Sequence, residues 1–340
     1  MSLALVTGAT GLVGSHIVDQ LLSDGWSVRA LARSPELARS ALPAAVDIHQ
    51  GDVLDERSFE RAAAGCHAVF HSAATILARG GWESYRFTNV EGTRNAITAA
   101  SSAGARLVHI SSVAVYGSAA RYAMAKDGKR TDESSPLPPL RETAYYARSK
   151  RESEELALRA HLEGRVWTVA VRPDVVYGPR DRQFVPRMAR LIRWFAVPLL
   201  RGGRSTMPIV HAANVAQGAV LAATSDAAGG KVYNLTNDYD VTVRRFFELA
   251  GEGVGRQPIL IPMPMWAARG ALTGAKQLAR LVSGGRFAMV SNSALDFISQ
   301  DNPFSSERAT RELGWSPPMR PETGIPQAFR WWRERKRARP

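Results

Sequence analysis

The 340 residues carry 44 Lys and Arg against 31 Asp and Glu, a formal net charge of +13, with 45% hydrophobic residues and one cysteine. That length exceeds a minimal domain and suits one large α/β unit with an appended lobe. A lone Cys66 excludes an internal disulfide and fits a reducing, cytosolic setting.

Leu3 to Thr7 predicts a buried first strand, and an apolar start this early is expected to leave no secretory leader. The strand runs into Thr7-Gly8-Ala9-Thr10-Gly11-Leu12-Val13-Gly14. In Gly8-x-x-Gly11-x-x-Gly14 one glycine permits the turn, one lets backbone N–H groups approach a phosphate, and one lets helix and strand pack closely. Such spacing alone is weak; directly after a strand, at the head of an alternating chain, it predicts a pyrophosphate cradle involving Gly8, Thr10, Gly11, Leu12 and Val13.

Further apolar, β-branched runs follow at Val28 to Leu31, Asp47 to Gln50, Ala68 to His71, Leu107 to Ser111 and Val166 to Arg172, with helical stretches between them. This alternation predicts a doubly wound parallel sheet covered on both faces, with right-handed crossovers. The second strand ends Leu31-Ala32-Arg33-Ser34, where Ala32 offers no carboxylate to a ribose 2′-hydroxyl. Arg33 instead presents a guanidinium to a 2′-phosphate, so NADP is preferred to NAD, the plain alternative being an ordinary exposed arginine. Asp52, in Gly51-Asp52-Val53, is placed to accept from an adenine amino group with Val53 supplying the next amide, or else merely caps the following helix. Ala73 and Ala74 are small enough for close passage of a cofactor, or for tight packing alone.

Ser111-Ser112 ends the fifth strand, and Tyr146 and Lys150 sit four residues apart in Tyr145-Tyr146-Ala147-Arg148-Ser149-Lys150. That interval puts phenol and ammonium on one helix face. Tyrosine titrates near ~10, so a neighbouring cation is needed before it exchanges a proton efficiently at neutral pH. Lys150 supplies one and can also bond ribose hydroxyls. Ser112 would hold a carbonyl oxygen, and Asn89 either orders a water behind Lys150 or serves as a buried helix-bend amide. Without the glycine signature the Tyr146 and Lys150 pair could be accidental; with it, the set describes hydride transfer at a bound dinucleotide.

After Val176 the sequence becomes Pro- and Gly-rich and carries Trp194, Phe195, Met207, Met263, Met265, Trp266, Phe287 and Met289, predicting a smaller lobe over the strand ends. The expected division is 1–176 for the dinucleotide-binding part with 208–237 returning to it, 177–207 and 238–330 for a substrate lobe, and 331–340 for a basic tail. No stretch reaches the ~18 uninterrupted apolar residues of a membrane span; the nearest, Met263 to Leu272, is broken by Pro264, Arg269 and Gly270. Most of the positive excess is thinly spread, so no nucleic-acid partner is expected. Only Arg330-Trp331-Trp332-Arg333-Glu334-Arg335-Lys336-Arg337-Ala338-Arg339 concentrates it beside aromatic residues, as a solvated last helix or a weak membrane-surface contact.

Taken with Gly51-Asp52-Val53-Leu54-Asp55, His71-Ser72-Ala73-Ala74, Asn89-Val90-Glu91-Gly92-Thr93, Ile110 to Gly117 and Arg172 to Pro179, these motifs resemble the extended short-chain dehydrogenase/reductase superfamily over nearly the whole chain. The resemblance implies a Rossmann-type nucleotide domain with a mixed C-terminal substrate lobe, and a homodimer through the helix of Tyr146. It also implies Ser112 as catalytic serine, with Ser111 as alternative, and Pro173 and Val176 beside the nicotinamide. Val113-Ala114 departs from the Asp-Glu of 4,6-dehydratases, and Val175 stands where relatives acting on nucleotide sugars carry Asn. Asn214 replaces a common Asp, which bears on contacts between the lobes. Ile261-Pro262-Met263-Pro264-Met265-Trp266 and Phe304 to Trp315 are similar to the 3β-hydroxysteroid dehydrogenase and dihydroflavonol-reductase-like branch. The expectation is an NADP-dependent ketone reductase, or alcohol dehydrogenase in reverse, acting on a largely apolar small molecule (sterol-, polyketide- or flavonoid-like). The alternative is a nucleotide-sugar epimerase or reductase, with Arg180, Arg182, Arg201 and Arg204 gripping a diphosphate.

Overall fold

The computed structural model describes residues 2–77, 80–117, 129–194, 196–236, 239–268 and 301–337, with 270, 273 and 299 as single positions. Phe195, Phe287, Met289, the Trp194 side chain and the last three residues of the tail lie outside the described residues.

Seven strands build one parallel sheet: β1 (Leu3–Thr7), β2 (Ser27–Ala32), β3 (Asp47–Gln50), β4 (Ala68–His71), β5 (Arg106–Ile110), β6 (Thr168–Pro173) and Val232–Leu235. Across the sheet they run β3, β2, β1, β4, β5, β6 and then Val232–Leu235, so the winding reverses between β1 and β4. Every pairing is parallel, so all C-terminal strand ends share one edge. The crevice at that reversal is where such sheets bind nucleotides.

The strands read as near-continuous apolar runs because both faces are covered. On one side helices Leu12–Ser23 and Ala212–Thr224 bury Ile17, Val18, Leu21, Val215, Ala216 and Ala219 against the sheet. On the other, Glu56–Ala63, Gly92–Ser102 and Tyr145–Leu162 bury Phe59, Ala96, Ile97, Ala100, Ala157 and Ala160. Alanines at these positions allow close helix approach without long side chains to order.

A second core gathers Tyr177, Val185, Ile192, Val243, Phe246, Phe247, Ile325 and Phe329, none more than 2% exposed. Its helices are Phe184–Trp194, Val243–Val254 and Pro321–Arg337, with two short parallel pairs, Val175–Tyr177 with Ile209–His211 and Val197–Leu199 with Leu260–Pro262. Asn214 joins the parts through its amide: Nδ2 donates to Met319 O at 3.0 Å and Oδ1 accepts from Met319 N at 2.9 Å. Asparagine satisfies one donor and one acceptor here, which a carboxylate could not.

Candidate active site

The cradle is a close fit of backbone on backbone. Gly8 has φ +63°, and a Cβ there would stand 2.8 Å from Ala73 N; a Cβ on Gly14 would stand 2.3 Å from Gly8 O. Neither position admits a side chain without moving main chain. Gly11 N donates to Gly8 O at 2.8 Å, and Gly11 begins helix Leu12–Ser23 without any side-chain cap. An uncapped helix start beside half-buried Thr10, Leu12 and Val13 offers N–H groups and a positive dipole end to an anion.

Arg33 is exposed at the end of β2, and among the described residues no hydrogen bond or ion pair engages it. Asp52 Oδ1 accepts from Leu54 N at 3.0 Å in a tight turn, while helix Glu56–Ala63 takes its cap from Asp55, which accepts from Ser58 N. The helix-capping alternative for Asp52 therefore belongs to Asp55. Val53 O accepts from Asn95 Nδ2 at 2.9 Å. Ala73 N donates to Thr7 Oγ1 at 3.3 Å, and Ala74 beside it is half-buried.

Asn89 lies in a π-helical turn, Arg86–Glu91, a wide turn that feeds helix Gly92–Ser102. Its Oδ1 accepts from Thr75 N at 2.7 Å, and its Nδ2 donates to Thr75 O at 3.0 Å and to Ser149 Oγ at 2.9 Å. The amide thus ties the loop after β4 to the helix of Tyr146 and Lys150.

That helix, Tyr145–Leu162, is rich in Ala, Leu, Glu and Arg, all good helix formers. Tyr146 is half-buried and Lys150 is 3% exposed. Lys150 Nζ donates to the carbonyl of Ile110, the last residue of β5, at 2.6 Å. Burial pulls its pKa down to about 8, against the upward pull of Glu154 one turn later. Glu154 in turn accepts from buried Arg172 Nε at 2.9 Å, and Arg172 Nη1 donates to Tyr116 Oη at 2.8 Å. This ion pair fixes β6 to the helix, and its Glu154 carboxylate partly offsets the cost of burying the Lys150 ammonium.

Ser112 starts the 3₁₀ turn Val113–Tyr116, its Oγ accepting from Ala114 N at 3.2 Å. Ser111 is 3% exposed, and its Oγ has no partner among the described residues. Pro173 ends β6 in register with Leu235, and half-buried Val176 packs on the main core.

Sequence reasoning missed the row beneath. Thr7, His71 and His109 sit side by side across β1, β4 and β5. His71 Nδ1 pairs with Thr7 Oγ1 at 2.9 Å and His109 Nε2 with Ser153 Oγ at 3.2 Å. Burial, and then the Lys150 charge, hold His71 neutral down to about 3 and His109 well below the usual imidazole range. Glu154 was findable, since it lies four residues after Lys150 on the same helix face.

The model of the NAD dependent epimerase/dehydratase family matches residues 4–236, and the chain belongs to that family, in its extended short-chain dehydrogenase/reductase form. It is 32% identical over 324 residues to the 4-hydroxy-2-methyl-3-oxo-4-farnesyl-3,4-dihydroquinoline-1-oxide ketoreductase of Stigmatella aurantiaca, covering 94% of this chain and 93% of that one. It is 30% identical over 330 residues to the 2-alkyl-3-oxoalkanoate reductase of Stenotrophomonas maltophilia (strain K279a), covering 94% and 96%. Among solved structures, MoeE5 in complex with UDP-glucose and NAD superposes with a TM-score of 0.71 at 24% identity, covering 98% of this chain and 99% of that chain, a likeness of fold.

The chain is therefore an NAD(P)-dependent oxidoreductase of the extended short-chain type. The nucleotide-sugar alternative fits less well. Of its four arginines, Arg180 is paired with Asp19, and Arg201 faces Asp301 at 3.8 Å.

Proposed function

We propose that this enzyme uses NADP and carries out carbonyl reduction, or the reverse, with Tyr146 as proton donor, Lys150 as its cation and Ser112 as holder of the carbonyl oxygen. The observation that carries the reading is the buried Lys150 ammonium, anchored on Ile110 O and four residues from Tyr146, at the crevice edge of the sheet. The residues present fit a dinucleotide: a glycine cradle no Cβ could share, an uncapped helix start, and small side chains after β4. When bound, the nicotinamide ring supplies or accepts the hydride.

This chain's side chains do the rest. One Lys150 donor is spent on Ile110 O, which orients the ammonium, and the others remain for the nicotinamide ribose and the phenol. Tyr146 exchanges the proton at the carbonyl oxygen while Ser112 holds that oxygen. Ser111, whose hydroxyl has no partner among the described residues, stays the alternative for that role. Asn89 keeps the lysine helix at a fixed distance from the loop after β4 through Ser149, and in the proposal it also orders a water behind Lys150. Gly8, Thr10, Gly11, Leu12, Val13, Asp52, Val53, Ala73, Ala74, Pro173 and Val176 line the cofactor. Arg33, exposed and unengaged among the described residues, supports NADP over NAD.

The substrate lies under the lobe of residues 177–207 and 238–330, with 208–237 counted with the nucleotide domain; the apolar second core supports that division. Farnesyl-dihydroquinoline-oxide and alkyl-oxoalkanoate relatives point to a lipophilic ketone. Two copies pair through the helix of Tyr146, and exposed Leu162 (82%) at the end of that helix and Phe87 (49%) in the turn Arg86–Glu91 support an interface. The basic tail makes a weak contact with anionic membrane surface, with Arg335 stacked over Trp331 and Lys336 over Trp332. The test is NADPH oxidation with a panel of hydrophobic ketones and nucleotide-sugar ketones. Consumption with the former is expected, and consumption with nucleotide sugars alone would overturn the reading.

A further inference from the structure

The segment Ile259 to Trp266 reads Ile-Leu-Ile-Pro-Met-Pro-Met-Trp, without a charged residue. Among the described residues its strand, Leu260–Pro262, is paired only with Val197–Leu199, in a two-stranded sheet. Met263 and Met265 turn inward onto Leu200 and Ala268. Their neighbours stay outside: Ile259 is 57% exposed, Ile261 44% and Trp266 78%. An apolar strand edge of this kind pairs or aggregates unless something covers it.

The ground beside it is basic. Arg193, Arg256, Arg333 and Lys336 line one hollow of about 450 Å³. Arg256 stands three residues before Ile259 and donates from Nη1 to Arg193 O at 2.6 Å, while Ile259 O accepts from Val197 N at 2.7 Å. The hollow therefore adjoins the apolar edge through Arg256 and Arg193, and no carboxylate is among the residues that line it.

We propose that this edge is a docking surface for an anionic phospholipid bilayer, with Ile259, Ile261 and Trp266 entering the interfacial layer and the basic hollow engaging headgroup phosphates. The chemistry fits one occupant. Trp and branched aliphatics suit the headgroup boundary, and clustered Arg and Lys are drawn to the negative leaflet. A second copy pairing edge to edge would bring the same four cations face to face. The inference deepens the tail contact proposed above by naming the face that enters the lipid, and it rests on no assignment within the catalytic machinery.

The test is flotation of the full chain with phosphatidylcholine vesicles, with and without phosphatidylglycerol, comparing wild type with Ile259→Ser/Trp266→Ser, Arg256→Glu and Arg335→Glu. NADPH binding and the thermal unfolding midpoint report that each variant is folded. Wild type should float with the phosphatidylglycerol vesicles and less so as salt rises. The Ser double variant and Arg256→Glu should each bind about tenfold more weakly or worse. Three results would overturn the proposal. One is no flotation with either vesicle. Another is wild-type affinity in both of those variants with loss only in Arg335→Glu, which leaves the tail contact standing alone. The third is self-association of wild type that the Ser variant abolishes, which assigns the edge to a second copy.

Discussion

Lys150 and Ile110 are joined by a 2.6 Å hydrogen bond from ammonium to main-chain carbonyl, in an interior that leaves the lysine 3% exposed. The contact makes the end of β5 a fixed stop for the helix carrying Tyr146. It also explains how an ammonium is retained in so dry a place, since one donor is satisfied and Glu154 lies a turn away.

Burial of that ammonium has a pH signature. With the folded pKa lowered to about 8 from 10.5, the unfolded chain holds this proton more tightly than the folded one, so stability rises with pH across that window. Below it the whole penalty is present. Lys150→Met should remove the penalty, leaving the protein at least as stable near neutrality, with an advantage that shrinks as pH climbs towards 10.5. Turnover should fall by about a hundredfold or more. Urea unfolding across the window, together with NADPH oxidation rates, checks both; a variant with wild-type rates would remove Lys150 from the chemistry.

His71 and His109 behave in a related way at the acid side. Both are held neutral in the fold far below the usual imidazole range, His71 down to about 3. Once the pH drops below ~6.5 the unfolded chain takes up protons that the folded chain refuses, so stability falls. Each histidine should contribute a slope of up to about 1.4 kcal/mol per pH unit. Urea titrations of wild type and His109→Gln should give a shallower acid slope in the variant, and equal slopes would contradict the buried, neutral state.

Arg33 stands at the end of β2 with nothing to bond among the described residues. Arg33→Asp should exchange attraction for a 2′-phosphate for repulsion, lowering kcat/KM with NADPH by about tenfold to a hundredfold relative to NADH. The ratio of the two efficiencies is the measurement. If it does not move, the 2′-phosphate is held elsewhere or is not the natural ligand.

The sheet was legible because parallel strands buried on both faces announce themselves as short apolar runs. Leu3 to Thr7, Asp47 to Gln50 and Ala68 to His71 match their strands residue for residue. At Val166 to Arg172 the strand starts two residues later, at Thr168, and ends on Pro173, after which Asp174 leads into the separate strand Val175–Tyr177. Glycine spacing and the Tyr146–Lys150 interval were readable since each is a local geometric demand. What could not be read were pairings across distant strands. The His71–His109 row and the Glu154–Arg172–Tyr116 chain depend on sheet order and register, which the sequence lists only as separate polar residues inside apolar runs. The roles of Ser111 and Ser112 divide for the same reason: which hydroxyl caps the 3₁₀ turn is decided by the path of the chain after β5.

The central claim is that the Tyr146 phenol, beside the Lys150 ammonium, exchanges the substrate proton. The most direct measurement is single-turnover NADPH oxidation by Tyr146→Phe with a hydrophobic ketone, alongside NADPH binding followed by nicotinamide fluorescence. The account predicts near-unchanged binding and a rate lower by about a hundredfold or more. A variant that binds NADPH and reduces the ketone at the wild-type rate would contradict it.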